Sequence, residues 1–202
     1  MIVVSRYNEN IEWTKQFPNI LIYNKGEPIS DDYNHICLPN VGREGHTIYT
    51  YIYNNYENLD EYTIFLQGDP FDHQKNIIEK IKNYLQMGIK LDIDFEYLSD
   101  EIFTVNFSDD TIFDDTVKDD LKPIIIPIRL VYNHLFNVYQ LYDFRYTFGV
   151  GGQFIVSKRA ILSRPREFYR KIVKILEYTK SPGEGYVIER FHQLFFTGHE
   201  PK

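Results

Sequence analysis

The sequence is short of cysteine: Cys37 is the only one in 202 residues, so no internal disulfide can form and a reducing compartment is the simpler expectation. Nothing beside Cys37 would activate its thiol, which reads as a small, half-buried residue. No apolar run approaches the roughly 18–20 residues that a helix needs to span a bilayer. The start, MIVVSRYNEN, also lacks the basic region and long apolar core of a secretory leader. These absences predict a cytoplasmic protein without a membrane span. Basic charge is scarce as well. With 22 Lys and Arg against 29 Asp and Glu, the formal charge is −7, the wrong balance for a nucleic-acid partner. Several catalytic signatures are missing: there is no phosphate-binding G-x-x-x-x-G-K loop, no G-x-G-x-x-G, no H-E-x-x-H and no G-x-S-x-G. That argues against an ordinary NTPase, a dinucleotide enzyme, a zinc protease and a serine hydrolase. No internal repeat or low-complexity tract is visible.

What is abundant is aromatic: 17 Tyr and 15 Phe make up most of a 16% share. Such side chains suit half-buried walls and stacking on sugars or bases, and ordinary packing accounts for them equally well. The length suits one domain with a full core. Residues 2–5 read as a buried strand and residues 19–24 as a second, with a modest helical pattern (Ile11, Trp13, Phe17) between them. Strand, helix, strand favours a parallel α/β sheet. Residues 27–42 read as a loop and 43–56 as a helix. YTIFLQ, at 62–67, is the near-continuous apolar run of a central strand covered on both faces. Helices are predicted after it at Ile77 to Leu85, after Pro127, after Pro165, and at the end in GYVIERFHQLFF. Residues 92–120, acidic and aperiodic, read as a solvated irregular excursion. GGQFIVSKRAI reads as a strand running into a helix.

In open α/β sheets, ligands bind beyond the carboxyl ends of the strands. Three segments reach such positions: SRYNE at 5–9, QGDPFDH at 67–73 and GVGGQF at 149–154. The second is the most informative. A long apolar strand delivers Asp69 to the sheet edge, with Asp72 and His73 one turn further. Their ligand atoms suit Mg²⁺ or Mn²⁺ with positions left open for phosphate oxygens. The same residues suit a plain turn at Asp69-Pro70, with Asp72 capping the next helix, and spacing does not separate the two. Asp92-Ile93-Asp94 matches a bare D-x-D in a poorer strand context. Arg6 suits a phosphate or a base edge and Tyr7 suits stacking, although a turn capped by Asn8 explains that segment too. Gly42-Arg43-Glu44 stands at a helix start, where N–H groups favour anions. Gly149, Gly151 and Gly152 would let backbone approach a bulky ligand or form a bulge.

VVSRYNE, YNKG, LPNVGREGHTIYTYI, FLQGDPFDH, GGQFIVS, RPREFY and GYVIER occur in one order across nearly the whole chain. Together they resemble a group of fungal and viral proteins that includes a GT-A-type glycosyltransferase of chlorella viruses, implicated in decorating the major capsid protein. The resemblance implies a single GT-A-like α/β domain over residues 1–202, which could be one piece of a longer chain. Its central sheet would be mixed, mostly parallel and flanked by helices. It also implies a UDP-sugar donor, a glycan or glycoprotein acceptor, Mn²⁺ or Mg²⁺, and the host cytoplasm if the protein is viral. SRYNE is similar to the Y-N-E-like turn of GT-A enzymes, so Ser5, Arg6 and Tyr7, with Asn24 and Lys25 of YNKG, would hold the nucleotide. Gly42 and Arg43 would position donor phosphate or sugar. Gln67-Gly68-Asp69 stands where the family has D-x-D, which puts Gln67 and Gly68 among the donor-binding candidates. The first aspartate is missing, so Asp69 becomes the metal ligand, helped by Asp72 or a histidine. GGQFIVSKR is similar to the G-S-Q-W-F-x-L-S-R stretch of branching N-acetylglucosaminyltransferases, near the acceptor, and adds Gly152 and Gln153 to the donor-binding candidates. SPGEGYVIER is similar to the S-P-D-E and E-D-x-x-x-x-x-R patterns. Under that alignment Glu184 is the candidate base for the acceptor hydroxyl, Glu189 the second candidate, and Arg190 the pattern's arginine. His192 and His199 either reach the metal or diphosphate or are ordinary packing and surface histidines. The competing expectations are a metal-dependent phosphoester hydrolase using Asp69, Asp72, His73 and His46, and a non-catalytic carbohydrate-binding or capsid-assembly module.

Overall fold

Alternate residues of the first strand face opposite ways, and each side finds its own core. In the computed structural model, which describes residues 1–88, 92–108, 110–113, 123–140 and 142–198 (backbone only for 110–113 and 123–125), Val3 of β1 (Ile2–Arg6) joins one apolar cluster while Ile2 and Val4 join another. The alternation repeats in β2 (Ile20–Asn24), where Tyr23 opposes Ile20 and Ile22, and in β4 (Tyr62–Gln67), where Phe65 opposes Ile64 and Leu66. It recurs in β10 (Phe154–Ser157), where Phe154 and Val156 oppose Ile155. Period-two alternation with apolar residues on both sides is what a strand covered by helices on both faces requires.

The larger cluster is covered by α1 (Arg43–Asn55), α3 (Ile128–Phe136), α5 (Arg166–Leu176) and α6 (Gly183–Thr197). The smaller is covered by α2 (Ile77–Met87) and a 3-10 turn at Glu12–Gln16. Adding β3 (His35–Cys37) and β5 (Phe95–Tyr97), the six strands run in the order β3-β2-β1-β4-β10-β5. Those from β3 to β4 are parallel, and β10 is antiparallel to both its neighbours. The expected mixed, mostly parallel sheet flanked by helices is therefore present. Two ribbons lie outside it: β6 (Ile102–Asn106) with β9 (Arg145–Gly149), and β7 (Asp110–Phe113) with β8 (Pro123–Ile126). Short α4 (Lys158–Leu162) follows β10 directly, capped by Ser157, whose Oγ accepts from the Ala160 N–H at 3.0 Å. Among the described residues no helix is long and apolar enough to cross a membrane.

The chain departs from its sequence reading in several places. The stretch around Trp13 is a 3-10 turn, not a helix: its few apolar residues reach the sheet within a single turn. Residues 27–42 contain β3, whose three residues are too few to show a period. The acidic stretch 92–120 contains an edge strand of the main sheet, β5, together with β6 and β7. Pairing with β10 and β9, rather than local pattern, makes strands of the first two. Asp94 serves the frame, accepting from Ser157 Oγ at 2.9 Å and Arg159 Nε at 2.8 Å. Cys37 is exposed, because β3 is an edge strand. Asp72 does not cap α2, whose N-cap position is Asn76, without a side-chain cap. His199 lies outside the described residues, as do parts of the acidic stretch.

Candidate functional site

The chain lays β2 and β3 on one side of β1 and then crosses to its other side for β4. Between β1 and β4 the winding reverses, and the crevice beyond the carboxyl ends at such a switch point is where open α/β sheets bind ligands. Register brings Ser5 opposite Gln67 and Arg6 opposite Asn24, so the predicted segments meet at one edge. The glycine-rich turn arrives at the same edge because β10, which it precedes, runs antiparallel to β4.

Much of the predicted nucleotide set is engaged in building this edge. Arg6 is buried. Its Nη1 donates to Asn24 Oδ1 at 2.6 Å and to the carbonyls of Tyr7 and Glu27 at 3.1 Å each, and its Nε donates to the carbonyl of Glu9 at 3.1 Å. It thereby locks the loops after β1 and β2 together. They lie so close that a Cβ on Gly26 would sit 1.5 Å from the Tyr7 carbonyl oxygen. Ser5 Oγ donates to Thr47 Oγ1 at 3.0 Å. Lys25 is buried with its Nζ donating to the carbonyls of Val41 and Arg43, and loss of hydration brings its pKa down to about 8. These bonds hold the start of α1, where Gly42 (φ 62°) and Arg43 (φ 49°) are both left-handed. A non-glycine residue there is strained by about 1–2 kcal/mol. The Arg43 guanidinium lies over the Tyr186 ring, 4.9 Å from its centroid. Tyr7 is the exposed member of the set.

At the end of β4, Asp69 is exposed. Its Oδ1 accepts from the Phe71 N–H at 3.2 Å, capping the turn Pro70–Asp72, and its other oxygen has no hydrogen-bond partner among the described residues. Asp72 is exposed too. Gly68 is pressed beneath Glu9, where a Cβ would stand 2.4 Å from Glu9 Oε2, and its carbonyl accepts from Trp13 Nε1 at 2.9 Å. Glu9, the last residue of SRYNE, thus lies beside the β4 terminus. Among the described residues no group of three His, Cys, Asp or Glu could hold a metal ion, so Asp69, Asp72, His73 and His46 do not form one. A Mg²⁺ or Mn²⁺ held by one carboxylate and completed by substrate phosphates fits the free oxygen of Asp69, whereas an all-protein cage does not fit.

The glycine turn joins this edge to α6. Gly151, at φ 89°, accepts at its carbonyl from Gln67 Nε2 and donates its N–H to Glu189 Oε1, each at 2.6 Å. Gln153, fully buried, donates from Nε2 to the Pro70 carbonyl at 3.2 Å and so supports the turn that carries Asp69. Behind Gly151 lies a chamber of about 10 Å³ lined by the first turn of α1, Gly152, and α6 residues that include Gly185, Glu189 and His192. Burial pushes the Glu189 carboxyl above its ordinary range; the Gly151 N–H opposes this, Glu44 adds to it, and Arg43 and Arg190 oppose it. His192 is buried and hydrogen-bonds Tyr49 Oη through Nδ1 at 2.7 Å, and burial holds its pKa down at about 3. Glu184 sits apart in the first turn of α6, where Tyr178 Oη donates to it at 2.6 Å. Arg190 lies over the Phe148 ring, 4.9 Å from its centroid. Glu189 and His192 line this chamber together, and their i, i+3 spacing, which the sequence carries, puts both on one helix face.

A family model described as "Protein of unknown function (DUF3431)" matches residues 1–101, from β1 through β5 and including the Asp69 turn. The glycine turn, Glu189 and His192 belong to the other half of the chain. No curated protein and no solved structure matches the chain. With half its length covered by that model, the chain belongs to the family of proteins of unknown function designated DUF3431.

Proposed function

We propose that the protein is a metal-dependent glycosyltransferase, moving a sugar from a UDP-sugar to a hydroxyl of a glycan or glycoprotein in the cytoplasm, that of the host if the protein is viral. One observation carries this: an exposed strand-end carboxylate, Asp69, and a half-buried, proton-prone carboxyl, Glu189, are tied to the same switch-point crevice through Gln67 and Gly151. A donor diphosphate and an acceptor hydroxyl need those two different environments.

The exposed Tyr7 ring suits stacking on the base, and the Arg43 guanidinium suits the donor sugar. Asp69 would hold Mn²⁺ or Mg²⁺, which when bound offsets charge developing on the diphosphate. Glu189 suits the base better than Glu184, because its carboxyl is desolvated and fixed by the Gly151 N–H while Glu184 pairs with Tyr178 at the surface. It takes the proton of the acceptor hydroxyl as that oxygen bonds to the anomeric carbon. The bond from that carbon to the diphosphate breaks and UDP leaves, through a centre of oxocarbenium character.

Calorimetric titration with UDP, GDP and CMP, each with and without Mn²⁺, tests this. UDP is expected to bind, and more tightly with the ion; absence of any metal-dependent nucleotide binding would sink the proposal.

A further inference from the structure

Four of the eleven glycines in the chain line the chamber beside Glu189: Gly42, Gly45, Gly152 and Gly185. At Gly42 and Gly152 the backbone requires glycine, with φ of 62° and 58°. At Gly45 a Cβ would come within 3.2 Å of Leu176 Cδ1. Gly185 has neither reason. Its φ is not positive, and a Cβ there would meet nothing nearer than Pro182 Cγ at 3.8 Å. Alanine would favour the helix by about 1 kcal/mol. Bare backbone at this point leaves room for something to approach α6.

The polar groups narrow what that is. Tyr49 is fully buried and keeps its proton, and among the described residues the one hydrogen bond of its hydroxyl is to His192 Nδ1. The phenol therefore donates, and the imidazole proton sits on Nε2. That nitrogen lies 3.8 Å from the position a Gly152 Cβ would take and has no hydrogen-bond partner among the described residues, although His192 is 1% exposed. Glu189 spends one oxygen on Gly151, and its other oxygen has no hydrogen-bond partner among the described residues. The first turn of α1 has no side-chain cap. An anion in this space would meet the carboxylates of Glu44 and Glu189. A cation would meet Arg43 and the positive end of α1. A neutral group that both accepts and donates meets neither obstacle, and the space admits one group the size of a water.

We propose that this chamber binds a hydroxyl of a neutral sugar, which accepts from His192 Nε2–H and donates to Glu189. Tyr49 is then a positioning residue that fixes the His192 tautomer. Assigning that hydroxyl to the acceptor of a glycosyl transfer rests on the reading above; the sugar site itself does not.

The test is a backbone-amide NMR titration of the full chain with D-glucose, D-galactose, D-mannose and N-acetylglucosamine, without nucleotide, alongside sodium sulfate and magnesium chloride. At least one sugar is expected to shift the amides of Glu44, Gly45, Gly152 and Gly185 saturably, while sulfate and magnesium do not. Gly185→Ala, which suits the helix, should weaken that sugar roughly tenfold or more by filling the approach. His192→Phe should weaken it too by removing the donor. Silence of these amides to every sugar, their response to sulfate instead, or undiminished binding by Gly185→Ala overturns the proposal. Sugar binding without any UDP binding would defeat the transferase reading and leave the site standing; UDP binding with silent chamber amides would do the reverse.

Discussion

The backbone N–H of Gly151 donates to Glu189 Oε1 at 2.6 Å, and the carbonyl of the same glycine accepts from Gln67 at the end of β4. A carboxyl on the last helix is thereby held to the edge of the central sheet by one residue of a turn. Gly151 can fill that place because it has no side chain: its φ is 89°, and a Cβ would lie 2.3 Å from His73 Cδ2. Gly151→Ala should therefore destabilise the fold by roughly 2–4 kcal/mol. Thermal or urea unfolding checks this, and an unchanged midpoint would contradict the geometry.

Glu189 should behave as a functional group held at some expense to the fold. Its carboxyl is raised, chiefly by burial, so the folded protein binds its proton more tightly than the unfolded chain does. The contribution to stability is then present below the unfolded value and lost as pH rises through the folded one, leaving the ionised group unfavourable near neutrality. Glu189→Gln retains an acceptor for Gly151 and removes the charge. At pH 7.5 its unfolding midpoint should equal or exceed that of the wild type. Glu184→Gln, at the surface, should change stability by less than about 0.5 kcal/mol.

Two buried histidines set an acid limit. Burial lowers His46 to about 4, helped by Lys25 and opposed by Glu177, and lowers His192 to about 3, against an ordinary 6.5. Below pH 6.5 the unfolded chain takes up protons that the folded protein refuses, so stability falls with pH. The fully buried His192 accounts for roughly 1.4 kcal/mol per pH unit across its window, and His46 for less. Thermal midpoints measured between pH 7.5 and 4.5 should fall steadily from about pH 6.5, and less steeply in His46→Asn. A flat profile to pH 5 would contradict this.

Asp69 has a capping role that asparagine can share, since both side chains accept from a backbone N–H. Asp69→Asn should leave stability within about 0.5 kcal/mol of the wild type while removing the Mn²⁺ dependence of UDP binding. Calorimetry with and without the ion distinguishes this from a purely structural role, in which the ion dependence would persist.

The sheet was legible where burial and period coincide. β1, β2 and β4 carry apolar residues on both faces, and α1, α2, α5 and α6 carry clear helical spacing. Strands whose pairing partners decide them were not. β3 has three residues, β5 lies within acidic sequence, and β9, next to the glycine turn, went unnoticed because its partner β6 is far away in the chain. At the candidate site, the segments that meet were foreseen, but their internal uses were not. Arg6 suits a phosphate or a base edge from sequence and the resemblance gives Lys25 to the nucleotide, but only the folded loops supply the carbonyls that occupy both. Choosing between Glu184 and Glu189 likewise depends on which side of α6 faces the Gly151 turn, a fact of packing that no motif carries.

The most direct test of glycosyl transfer at this crevice is UDP release from UDP-sugars in the presence of Mn²⁺ and candidate glycan acceptors, comparing the wild type with Glu189→Gln. Acceptor-dependent UDP release by the wild type is predicted, lowered about 10²–10⁴-fold in Glu189→Gln with UDP binding intact. Release that is equal in both proteins, or absent from the wild type with every donor, would contradict it.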